Sequence, residues 1–96
     1  MILSELIKFK REAKGMLLRE VAYQVEVDTA LISKIEKGDR KPTREQIEKL
    51  ALALDIEYNK LLTLWLSEKV YEEVNGEEMA IDAIKLALKR VKSDKQ

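Results

Sequence analysis

Ninety-six residues suffice for one domain with a single core, and 18 basic against 18 acidic side chains leave the chain formally neutral. It has no cysteine and no histidine, which excludes disulfides, thiolate chemistry, Cys/His zinc sites and the commonest general base, and catalysis would have to rest on carboxylates, lysine or serine. No run approaches the ~20 apolar residues of a membrane span, and Glu5, Lys8, Lys10, Arg11 and Glu12 interrupt any leader-like apolar stretch, so a cytoplasmic protein is expected.

In chain order, the first helix is expected over Ile2–Lys14, with Leu6, Phe9 and Ala13 as its core stripe, Leu3 or Ile7 flanking it, and Gly15 ending it. Leu18, Val21, Ala22 and Val25 then recur at i, i+3, i+4 and i+7, the spacing of a short amphipathic helix. Asp28 is a good N-cap and Gly38 suits a left-handed exit, so a third helix should run from about Asp28 to Lys37. The intervening turn, about two or three residues around Glu26 and Val27, is too short for antiparallel packing and predicts a steeply crossed helix-turn-helix.

The third helix sorts its side chains by chemistry. Leu31, Ile32 and Ile35 share one side; Thr29, Ala30, Ser33, Lys34 and Lys37 share the other. An outward face that is small or basic can enter a DNA major groove about 12 Å wide. From Lys34 to Arg44, the bases Lys34, Lys37, Arg40, Lys41 and Arg44 outnumber the acids Glu36 and Asp39, a local excess that can meet a sugar–phosphate backbone despite zero net charge.

Thr43-Arg44-Glu45-Gln46 is a capping box that opens a fourth helix, whose Ile47, Leu50, Ala51 and Leu54 should close the core, and Asp55 stands at its exit. Arg44 lies in that helix's first turn, where a cation opposes the dipole and a phosphate would suit it. Tyr58–Val74 reads as one long helix with an apolar face wider than one contact needs, and Asn75-Gly76 stops it. A last helix starts near Glu77 and Glu78 and carries the stripe Ala80, Ala83, Ile84, Ala87, Leu88 and Val91. Residues 93–96 are expected to fray.

The run Val21-Ala22, Val25, Val27, Ile32-Ser33-Lys34-Ile35-Glu36-Lys37-Gly38, Arg40-Lys41-Pro42 resembles the Xre/Cro-type helix-turn-helix proteins of bacteria and phages, over about Leu6 to Leu62. The resemblance implies an all-α, five-helix lambda-repressor-like domain, here with an additional C-terminal helix, and dimeric transcription regulators that bind double-stranded DNA. It makes the 28–37 helix the recognition helix. Arg11 and Glu36 stand where the family places a partly buried ion pair. Two departures are visible. Glu26 occupies the turn position most often held by glycine, which suggests a slightly different turn. Leu17-Leu18 replaces the usual Ser/Thr-Gln start of the second helix, losing a phosphate contact and suggesting extra packing against the C-terminal part.

The expected organisation is a DNA-binding core over 1–57 and a C-terminal helical pair over 58–92, either a dimer interface through Leu62, Trp65, Leu66, Val70 and Tyr71 or an intramolecular hairpin capping the core. Base contacts are assigned to Thr29, Ala30, Ser33 and Lys34, and phosphate contacts to Lys37, Arg40, Lys41 and Arg44. Tyr23 has no assigned role. The competing reading is a protein-interaction or antitoxin-like adaptor on the same fold. An enzyme is disfavoured because Glu72/Glu73 and Glu77/Glu78 each point two ways on a helix with no nucleophile beside them, and neither metal nor cofactor is expected.

Overall fold

The computed structural model describes residues 2–95, which form six helices: α1 (Leu3–Ala13), α2 (Leu18–Val25), α3 (Thr29–Lys37), α4 (Arg44–Leu54), α5 (Tyr58–Val74) and α6 (Ala80–Asp94). The described residues contain no strand. Each of the first four helices solves its N-terminal hydrogen-bonding problem locally. Asp28 accepts from the Leu31 N–H at 2.7 Å, and Thr43 and Gln46 exchange bonds of 3.2 and 3.0 Å. Ile2 and Leu17 have no polar side chain to offer α1 and α2. There Glu5 and Glu20 reach back to the N-cap N–H groups, at 3.1 and 2.7 Å.

Helices α1 to α4 and the first half of α5 enclose one core, with Ile7, Ile32, Ile35, Ile47, Leu50, Leu54 and Leu61 fully removed from water. The α1 stripe differs from expectation. Leu3 and Ile7 are its buried residues, Leu6 is only half-buried, and Phe9 is 54% exposed with Ala13 also outside. The reason is that the inward stripe continues at i+4 to Arg11, a charged residue that an apolar-pattern reading steps around.

The turn between α2 and α3 is made without glycine. Glu26 itself adopts the left-handed conformation (φ 64°, ψ 44°), as Asp55 does at the end of α4 (φ 55°). A lysine distant in sequence bonds each carboxylate: Lys49 of α4 bonds Glu26, and Lys14, just after α1, bonds Asp55 at 2.8 Å. Those bonds hold both carboxyl pKa values below the usual range. Because glycine adopts this conformation without a Cβ clash, Glu26→Gly should raise the thermal midpoint, an effect readable in a melting curve.

Trp65 requires a correction as well. It is 5% exposed, its indole Nε1–H donates to the Pro42 carbonyl at 2.8 Å, and the Lys69 ammonium sits 3.8 Å above its ring. It therefore belongs to its own chain's core and is unavailable to a subunit interface. Leu61 and Trp65, four residues apart, dock α5 on the core, and the bond to Pro42 ties α5 to the loop after α3. Trp65→Phe should cost about 1–3 kcal/mol, since it strands a buried carbonyl; chemical denaturation measures this.

Helix α6 buries no residue and does not cap the core. It continues through Ser93 to Asp94, where fraying was expected; of that tail, Gln96 lies outside the described residues. The protruding α6 makes the radius of gyration 15.4 Å, against about 12.5 Å for a compact chain of this length.

Candidate DNA-binding surface

Helix α3 packs on α1 and α2 through Ile32 and Ile35, with Leu31 half-buried. Its other face is open: Thr29, Ala30, Lys34 and Lys37 are exposed and Ser33 is partly so. Gly38, at φ 81°, ends the helix and turns the chain into the basic loop; a Cβ there would be strained by that φ although there is room for it.

One ion pair fixes the far end of α3. Arg11 Nε and Nη2 donate to Glu36 Oε2 and Oε1 at 2.7 and 3.0 Å, and Nη1 donates to the Met16 carbonyl at 2.9 Å. The side chains are 13% and 6% exposed, so this fork is largely withdrawn from water. Hydrogen bonding to Glu36 outweighs burial and raises the Arg11 pKa further. It ties α1, the α1–α2 linker and α3 together, and Glu36 adds no unpaired negative charge to the basic surface.

The cations expected to meet phosphate divide in two. Among the described residues Lys34, Lys37, Arg40 and Arg44 have no ion-pair partner. Lys41 instead turns to α5, with its Nζ 2.5 Å from Glu72 and 3.5 Å from Glu68. Burial pulls the Lys41 pKa down, but the two carboxylates more than reverse this and the net shift is upward. Glu68 also accepts the Leu3 N–H at 2.5 Å, so Lys41 belongs to a latch joining the loop, the start of α1 and the middle of α5. The acids of this latch lie far along the chain, beyond any local pattern.

One cation was missed. Arg19 lines a shallow depression with Leu17, Leu18 and Thr29, which sets it beside the N-terminus of α3. It too is unpaired among the described residues. The available signal was a cation in the first turn of α2, the unfavourable dipole position already noticed at Arg44. Leu17 is exposed beside this depression, whereas Leu18 is partly buried against the core, so of the extra packing expected from the pair only Leu18 supplies any. Of the expected interface on α5, Leu66, Val70 and Tyr71 are exposed and Leu62 is half-buried. Tyr23 is exposed. No described helix is long and apolar enough to cross a membrane.

Two crossed helices on a shared core, the second capped by aspartate and glycine and open on its outer face, define a helix-turn-helix protein of the all-α, lambda-repressor-like fold. A family model described as helix-turn-helix matches residues 7–61, more than half of the chain. The chain belongs to this Xre/Cro-like helix-turn-helix family, a family of DNA-binding regulators. No curated protein matches it.

Proposed function

We propose that the chain is a sequence-specific transcription regulator that binds a pseudo-palindromic operator as a homodimer, with α3 in the major groove. The observation that carries this reading is the open α3 face, Thr29, Ala30, Ser33 and Lys34, bordered by the unpaired cations Arg19, Lys37, Arg40 and Arg44. Lys34 donates to guanine O6 and N7, while the Thr29 and Ala30 methyls touch thymine methyls. The flanking cations hold phosphates and set the register. Two copies related by a two-fold axis present their α3 helices about 34 Å apart, one turn of DNA.

Selection of bound sequences from a random DNA pool, followed by anisotropy titrations at several salt concentrations, tests the proposal. An inverted-repeat consensus with salt-dependent affinity is expected; binding without sequence preference, or none, favours the adaptor reading. Arg40→Ala should reduce the salt slope of the dimer by about 1.8, one phosphate contact being lost from each subunit. Lys41→Ala should reduce it less, because Glu68 and Glu72 already neutralise that ammonium. Lys34→Ala should relax preference at one base pair per half-site, at a cost of about 1–3 kcal/mol.

A further inference from the structure

Helix α6 has fifteen residues and no buried side chain. A helix of ~12–15 residues is marginal in water without tertiary packing. Yet Ile81, Ile84, Leu88 and Val91 stand exposed along it, and the space between α6 and α5 is a groove of about 460 Å³ with Val70 and Val74 on one wall and Ala83, Ile84 and Ala87 on the other. The alanines leave room for a helix to approach closely.

Charge identifies the occupant. The end of α5 and the following turn carry Glu73, Glu77 and Glu78, whereas Lys85, Lys89 and Lys92 form one stripe along α6 at i, i+4 and i+7. Among the described residues none of these six makes an ion pair within its own chain. The beginning of α6 follows the end of α5 directly, so a second α6 laid antiparallel on the first brings its basic end to the acidic end of α5. We infer that the groove between α5 and α6 receives α6 of a second copy of this chain, antiparallel, with the lysine stripe against the partner's acidic turn. A two-fold axis repeats the contact, so each subunit both gives and receives a helix. This assignment rests on the dimer reading above and moves the interface from the buried Trp65 to α6.

Charge exchange tests it. One variant carries Lys89→Glu and Lys92→Glu, and another carries Glu73→Lys and Glu77→Lys; each is followed by sedimentation equilibrium at low salt. Either alone should dimerise at least about tenfold more weakly than the wild type, because the substituted positions then face like charges. A mixture of the two should recover the dimer, and a chain carrying all four substitutions should do so alone, which also shows that the substitutions leave the fold intact. Wild-type affinity in the single-helix variants would overturn the seating while leaving the dimer standing. A wild-type chain that sediments only as a monomer would remove the dimer reading and the seating together.

Discussion

Replacing Arg11 by alanine is expected to destabilise the fold by about 3–5 kcal/mol, one of the largest effects of any single substitution in this chain. The guanidinium makes three hydrogen bonds, two to Glu36 and one to the Met16 carbonyl, in a site where Glu36 is only 6% exposed. Its removal leaves a carboxylate with no counter-charge and little water. For a domain of this size the loss lowers the melting temperature by about 12 °C or more. Arg11→Lys should recover only part of the stability, since an ammonium cannot reproduce the planar fork. The paired change Arg11→Met with Glu36→Leu removes both charges and should cost far less than Arg11→Ala alone. A thermal melt of the three variants checks the ordering; equal melting temperatures for Arg11→Ala and the wild type would show that the fork contributes nothing.

Ending the chain after Asn75 should give the opposite dissociation of effects, with stability kept and operator binding lost. The buried core spans Leu3 to Trp65, and α6 buries nothing, so its removal takes away no core contact. A monomer reaches only one half-site, and the second contact no longer follows at high local concentration. Affinity for the full operator is expected to fall by about 10²- to 10⁴-fold, while the melting curve stays nearly unchanged. Operator titration and sedimentation of the truncated chain measure both quantities. Undiminished affinity in a monomeric truncation would contradict the dimeric mode of binding.

The local features were readable because their causes are local. Asp28, Gly38 and the Thr43/Gln46 box act on backbone groups within one turn, and the α2 and α3 stripes follow from helical period alone. The failures arose where a side chain's partner lies far along the chain. Phe9 and Trp65 are both large and apolar, and nothing in their own segments marks the first for the surface and the second for the core. The inward stripe of α1 ends in Arg11, which looks polar until Glu36 is placed opposite it. Lys41 looked like its neighbours Arg40 and Lys37, and only the packing of α5 shows that Glu68 and Glu72 engage it. Glu26 closes its turn in the left-handed conformation, and the Lys49 that pairs with its carboxylate lies on a later helix that its own segment does not reveal.

The absence of cysteine opens a direct test of the α3 assignment. An Asp39→Cys chain can carry an iron chelate on the new thiol, at an exposed position just after α3 with no assigned DNA contact. Bound to its selected operator, it should cut the DNA in two clusters about 10 base pairs apart, each beside the major groove that receives α3. Binding to that operator with no cutting near either half-site would contradict the insertion of α3 into duplex DNA.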